Sequence, residues 1–342
     1  MPRKQMRLQE IVVTTIMGWF LLFLVFLPHD VMALELVIGM PLFEQSKEYT
    51  LLVEETRRIA DQTNGVINIS IYSLADKKAE FGPKVLDKSL DGCLALEYDF
   101  ETLGLGPDAY VYGFPFLFQS FEQMKLLRQE LDDHILEAIS QGPTTALGFV
   151  NFGFTYLVLG PDISLARPEQ WSGLKIWVPE IVSVSTDLDM VGFQKVTADA
   201  KMVLAGLEDS SIEAVIAPLP VVIMKRWHTR IATVFGYPLA YTSGIWVFND
   251  SVVNSLAEQE YELLKSSLQQ LGQLLGSTFE SREQSAKKVF ARYGIESTNP
   301  TDEMTKQLKS WSREYYKNLP EKSKPSPYVV TKLQELTDGT VQ

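Results

Sequence analysis

A proline-free amphipathic run from Ser255 to Tyr293 sets the scale of what this chain can fold into. Leu264, Leu268, Leu271, Leu275 and Phe279 recur at spacings of four, three, four and four, with no proline before Pro300. That is helical periodicity, and Ser255-x-x-Glu258 has the spacing of a capping box at its start. One helix over 255–293 would be about 55 Å long at about 1.5 Å per residue. A rod of that length exceeds one small domain, so it is expected to back two lobes.

The rest of the chain alternates strands and helices. Leu34 to Met40 reads as a short apolar strand, and Ser46 opens a helix to about Gln62, stopped by Asn64-Gly65. Val66 to Tyr72 alternates, with Ile67, Ile69 and Ile71 on one face. Strand, helix and strand with short joints predict a βαβ unit and a parallel sheet, hence an α/β class. A helix from Ser120, with Gln123 at capping-box spacing, carries Met124, Leu127, Leu131, Ile135 and Ile139 on one side until Gly142-Pro143. Further strands are expected at 145–150, 155–159, 175–178, 214–217 and 245–248. Glu321 to Pro327 reads as a connector before a last short helix.

The first 33 residues carry Arg3, Lys4 and Arg7, an apolar run from Ile11 to Leu27, and Val31-Met32-Ala33. This is the pattern of a secretory signal peptide cleaved after Ala33, with a retained membrane anchor as the competing reading. The only cysteine, Cys93, leaves no internal disulfide and lies far from the cleavage region, which argues against a lipoprotein. Removing residues 1–33 takes the net charge from −12 to −13, since Arg3, Lys4 and Arg7 leave with Glu10 and Asp30. So acidic a chain is a poor partner for nucleic acid, whose affinity rests on lysine and arginine meeting phosphate. The remaining residues, about 309 of them, suffice for one large or two medium domains.

Nothing in the sequence marks catalysis. It has no Gly-x-Ser-x-Gly elbow, His-Glu-x-x-His pair, phosphate-cradling loop or Cys/His metal cluster. His134 and His228 read as ordinary polar residues, and Asp187, Asp189, Glu208, Asp209 and Glu213 as a solvated acidic face. No cofactor is expected.

Pro168-Glu169-Gln170-Trp171-Ser172-Gly173-Leu174-Lys175-Ile176-Trp177-Val178-Pro179 resembles the Pro-x-Asp-Leu-x-Gly-Leu-Lys-Ile-Arg-Val-Pro segment of the periplasmic solute-binding proteins of TRAP (tripartite ATP-independent periplasmic) transporters, DctP type. Other segments follow that family's order: Ile69 to Tyr72, Asp108 to Tyr112, the Pro115-Phe116-Leu117-Phe118 turn, Gly153-Phe154-Thr155 where many members read Gly-Phe-Arg, and, in outline, Leu207 to Pro218. In the last of these Ser210 and Ala214 replace glycines and Ala217 an asparagine.

The resemblance implies two α/β lobes joined by crossing strands at 152–159 and 244–248 and spanned by the long helix. Lobe I would be 34–152 completed by about 244–254, lobe II 153–243, the bridging helix 255–293, and 294–342 a helical segment packed on the lobes. It also implies a ligand in the interlobe cleft, closure over it, TRAP membrane subunits as partners and a periplasmic location. The family's arginine, which clamps a substrate carboxylate, is here Trp177, and Thr155 stands at the second arginine position.

Charge-assisted bonds of this kind contribute about 1.5 to 3 kcal/mol each, so their loss shifts the expected ligand from a small dicarboxylate toward a neutral, aromatic or aliphatic molecule. Trp177, Thr155, Phe43, Tyr98, Phe116, Phe154, Phe193, Ala217 and Trp246 are the candidate cleft residues. For each aromatic taken alone a core role is the commoner fate, and only joint placement with Trp177 raises the binding reading. Cationic ligands stay open through cation–π contact, and Arg167 could supply a compensating charge. A carboxylate receptor using other cleft residues, and a sensory or docking protein on the same fold, are the alternatives.

Overall fold

The computed structural model describes residues 33–42, 44, 46–73, 81–140, 142–178 and 191–337. Its strands are β1 (Leu34–Met40), β2 (Ile67–Ser73), β3 (Gly92–Ala95), β4 (Thr144–Leu159), β5 (Lys175–Trp177), β6 (Gln194–Val196), β7 (Ala214–Ala217), β8 (Thr233–Phe235), β9 (Ala240–Asn249) and β10 (Glu296–Thr298). Its helices are α1 (Lys47–Gln62), α2 (Phe81–Leu86), α3 (Glu97–Phe100), α4 (Phe121–Ile139), α5 (Val203–Glu208), α6 (Leu219–Met224), α7 (Asp250–Val253), α8 (Glu258–Arg292), α9 (Asp302–Asn318) and α10 (Pro327–Leu336).

Local chemistry sets the element ends. Ser46 Oγ accepts from the Tyr49 N–H at 3.0 Å and starts α1, and Asn64 and Gly65 leave the helix with φ of 51° and 76°. Ser120 Oγ caps α4 through the Gln123 N–H at 3.1 Å. The five apolar residues read on one side of α4 are buried. β1 and β2 pair in parallel from Leu34↔Ile67 to Met40↔Ser73.

The strand order β2-β1-β3-β9-β4-β7-β5-β6 carries β4 and β9 through the middle. The segments expected as two strands at 145–150 and 155–159 are one strand, β4, in which a register shift against β9 between Asn151 and Gly153 absorbs the interruption; a second shift lies between Ala146 and Gly148. β9 begins at Ala240, and its Ile245–Phe248 portion pairs with β3, so the chain returns between halves at Ala240–Gly244, earlier than expected.

The long helix starts at Glu258 rather than near Ser255. Asn249 caps α7, Ser255 Oγ donates to the Val252 carbonyl at 2.7 Å, and Glu260 then accepts from the Ala257 N–H at 2.8 Å. Its 35 residues span about 52 Å. Leu264, Leu268, Leu271 and Leu275 pack with Leu36, Ile38, Trp246 and Phe248 in the first half, while Ala286 and Phe290 reach the core that holds Val215 and Val222. The C-terminal helices straddle the same division. α9 buries Met304, Leu308 and Trp311 against Trp171 and Phe235, and α10 buries Val329 and Leu333 in the core that α4 shares. Among the described residues no helix is long and apolar enough to cross a membrane; residues 1–32, the bulk of the expected signal peptide, lie outside them.

Candidate functional site

The parallel strands β5 and β7 end where β4 crosses between the halves. Trp177 pairs with Val215, and Tyr156 with Ala217, so Trp177, Val215, Ala217, Tyr156 and Phe154 share one face. Carboxyl ends of parallel strands at such a division are where open α/β sheets take ligands. Trp177 is 7% exposed. Its indole N–H donates to the Ala198 carbonyl at 2.8 Å, and its ring meets Trp227 edge-on at 5.2 Å. The one polar group of the side chain is thus used within the protein, and what it offers a ligand is an uncharged aromatic edge.

Beside it stands an aromatic and polar chain along the crossing. Phe154 packs edge-on against Phe121 at 5.0 Å and Tyr241 at 4.9 Å. The Tyr156 hydroxyl donates to Glu283 Oε1 at 2.8 Å, and Lys287 pairs with the same oxygen at 2.8 Å while lying over the Tyr156 ring. Burial first, and then the Glu283 charge, push the Tyr156 hydroxyl well above its ordinary pKa, so it remains a donor.

The other candidates fall elsewhere. Thr155 points to the opposite face from Phe154 and donates its hydroxyl to the Ala240 carbonyl at 3.3 Å. Phe116, at φ of 58°, is wedged between Trp171 and Trp311 at 6.2 and 5.9 Å, and Phe193 stacks on Trp171 at 5.5 Å, all in the core behind that face. Trp246 lies in the first-half core against α8. Tyr98, on α3, is half-buried, and burial raises its pKa. Arg167 is exposed on its loop. Phe43 lies outside the described residues, as do Asp187 and Asp189. The structure therefore brings together Trp177, Ala217 and Phe154, and separates these three from Thr155, Phe116 and Phe193.

Two charged groups near the crossing were not singled out from the sequence. Arg128, on α4, is buried and donates through Nε and Nη2 to Asp132 Oδ2 at 2.9 and 2.8 Å and through Nη1 to Asn151 Oδ1. Its guanidinium lies between the rings of Tyr112 and Phe149 at 5.1 and 4.6 Å, and the Tyr112 hydroxyl donates to Asp132 Oδ1 at 2.6 Å. Burial opposes charge on Arg128, but Asp132, Tyr112 and Tyr241 outweigh it and leave its pKa raised; burial raises Asp132 against the pull of Arg128. Glu283 is the second. Both belong to i,i+4 pairs with an opposite charge, Arg128 with Asp132 and Glu283 with Lys287, a spacing that also marks ordinary solvated helix faces.

Asp99 on α3 is buried, accepts the Leu96 N–H at 3.3 Å, and is pushed by burial to a pKa of about 6. Its folded pKa lies above the unfolded value of about 3.9, so its favourable contribution is present below about pH 4 and lost as pH rises through about 6. Asp99→Asn should remove that dependence. Between pH 4 and pH 7 its stability relative to wild type, from urea denaturation, should improve by about 2 to 3 kcal/mol; a constant difference would mean Asp99 titrates normally.

The family model for bacterial extracellular solute-binding protein, family 7, abbreviated DctP, matches residues 43–323. The chain belongs to this family. No curated protein matches it. Solved structures of DctP-type TRAP receptors share its fold of two α/β lobes with a long helix spanning both. A TRAP periplasmic solute-binding protein from Ochrobactrum anthropi, with its C-terminus bound in the ligand-binding pocket, is 12% identical with a TM-score of 0.78 over 90% of this chain and 96% of that one. One from Shewanella oneidensis with bound succinate is 14% identical with a TM-score of 0.71, over 90% of this chain and 100% of that one. One from Xanthobacter autotrophicus with bound β-D-galacturonate is 14% identical with a TM-score of 0.69, over 89% and 99%.

Proposed function

We propose that this DctP-family protein is the extracytoplasmic receptor of a TRAP-type transporter. It is exported with loss of residues 1–33, works in the periplasm without catalysing a reaction, and delivers a small organic ligand from its interlobe cleft to the membrane subunits. The ligand is neutral, aromatic or largely apolar, and Trp177 carries that reading. At the end of β5, where the resemblance places a carboxylate-clamping arginine, stands an indole whose N–H is already bonded to Ala198. A dicarboxylate entering there would give up its hydration for an aromatic edge and receive no counter-charge from Trp177, which is costly for an ion. Glu283, which holds Tyr156 on the same face and is paired with Lys287, adds no net positive charge.

A second reading is favoured by the succinate and galacturonate held in the Shewanella and Xanthobacter proteins: a carboxylate receptor that grips its ligand with other cleft residues. Native mass spectrometry of the purified protein names the carried-over ligand. Calorimetry with succinate and galacturonate then separates the two. Flat titrations beside a neutral carried-over ligand support the first reading, and micromolar binding of either acid establishes the second.

A further inference from the structure

We infer that this protein carries a face that docks on an anionic lipid surface, formed where the end of α8 meets the turn after α6. Two short stretches build it. Residues 224–230 read Met-Lys-Arg-Trp-His-Thr-Arg and residues 287–293 Lys-Lys-Val-Phe-Ala-Arg-Tyr, three cations in each and no acid, in a chain whose net charge is −12. α6 packs against α8, and the His228 ring meets the Tyr293 ring edge-on at 4.8 Å, so the two stretches share one surface. Two of the six cations are held within the fold, Arg230 by Glu208 at 2.7 Å and Lys287 by Glu283 at 2.8 Å. Lys225, Arg226, Lys288 and Arg292 are exposed, and none of them pairs with a carboxylate of the described residues. Glu296, three residues beyond Tyr293, is an exposed acid at the margin, one against four.

Cations near helix C-termini are ordinary, because they offset the helix dipole, and that alone would explain Arg292 in the last turn of α8. It does not explain what stands between them. Met224 and Tyr293, 63% and 60% exposed, are the two most exposed large apolar side chains among the described residues, and both lie inside the basic face. Met202, 55% exposed, precedes α5, which packs on the same turn, and its neighbour Lys201 is paired with Asp199 at 3.1 Å. A lipid headgroup layer fits this composition better than an acidic protein does. Its charge is diffuse, so it attracts several lysines and arginines without fixing their geometry, and it accepts tyrosine and long apolar side chains at headgroup depth. The acidic remainder of the chain is repelled by the same surface, which makes the contact oriented. The inference rests on the receptor reading, which brings the protein to a membrane at each delivery.

Flotation of the protein purified from the periplasm tests this, with vesicles of pure phosphatidylcholine and of phosphatidylcholine mixed with phosphatidylglycerol. Wild type should bind only the mixed vesicles at low salt, and the binding should fall away at about 1 M salt, where charges are screened beyond about 3 Å. Lys225→Glu with Arg226→Glu should weaken it at least about 25-fold, about fivefold for each cation removed. Lys47→Glu with Arg57→Glu, both exposed on α1 in the other half, changes the net charge equally and should leave binding nearly unchanged. Met224→Ser with Tyr293→Ser should weaken binding and keep its salt dependence. All these side chains are exposed, circular dichroism checks the fold of each variant, and the N-terminal segment is common to every variant. Equal binding to both vesicle types, no binding to either, or equal losses in the two charge reversals would overturn the inference. Binding to native membrane vesicles that pure lipid does not reproduce would make this a protein-docking face and overturn it also. Loss of the receptor reading would look different: native mass spectrometry would find no carried-over ligand and calorimetry with succinate and galacturonate would be flat, while vesicle binding through Lys225 and Arg226 stayed intact.

Discussion

Asp132→Ala should lose about 3 to 5 kcal/mol of stability in urea denaturation, the cost of leaving a buried cation without its partner. Arg128 is 8% exposed and directs two of its donors at a single Asp132 oxygen, while Tyr112 donates to the other. Removing the carboxylate strands a guanidinium and a phenol in a core of Leu127, Leu131 and Phe149. Asn151 remains, but an amide oxygen cannot offset a full charge. The double variant Arg128→Met, Asp132→Leu should recover most of the loss, because apolar replacement of a whole buried pair is often close to neutral. Strict additivity of the two single losses in the double variant would mean that the groups act independently, and that the pair is not what fixes α4 to the crossing strand.

The sequence makes this architecture legible wherever one local signal decides. Ser46 and Ser120 are both N-caps, β1 and β7 keep the limits their apolar runs suggest, and the leucine spacing of α8 places one rod across both lobes. Misreadings occur where two local signals compete. Ser255-x-x-Glu258 and Ala257-x-x-Glu260 overlap, and the first is disabled because α7 engages the Ser255 hydroxyl. Asn151 to Gly153 interrupts an alternating pattern and so reads as a loop, yet the flanking segments stay on one ladder and the interruption becomes a bulge.

That bulge also hides the site. A one-residue slip moves every following side chain to the other face, so whether Phe154 or Thr155 faces Trp177 depends on how the register shift resolves. Two buried charges are hidden for a related reason: Arg128 with Asp132 and Glu283 with Lys287 have the spacing of surface pairs, and only the tertiary packing of α4 and α8 takes Arg128 and Glu283 out of water, while Asp132 stays partly exposed and Lys287 exposed.

The second large effect belongs to Trp177. Truncating a buried tryptophan costs about 3 to 5 kcal/mol, so Trp177→Ala should destabilise lobe II on folding grounds alone, leaving Trp227 facing a void. That loss by itself says nothing about a ligand, because a core residue behaves the same way. Trp177→Phe separates the two roles. Phenylalanine keeps an aromatic ring against Trp227 but removes part of the indole volume together with the N–H that the Ala198 carbonyl accepts, so the fold should lose less than in the alanine variant and the carried-over ligand should bind nearly as before. Trp177→Leu keeps apolar volume but no aromatic face, and in a chain still folded by circular dichroism it should weaken that ligand by about 2 kcal/mol, as loss of an aromatic anchor does. Trp177→Arg restores the charge of the family pattern inside a wall built of Val215, Ala217 and Trp227; it should lose the native ligand and gain succinate binding. If instead the native ligand binds the Leu and Arg variants as tightly as wild type, Trp177 is core and nothing more, and the chemistry of the cleft is set by residues on the other face, around Thr155.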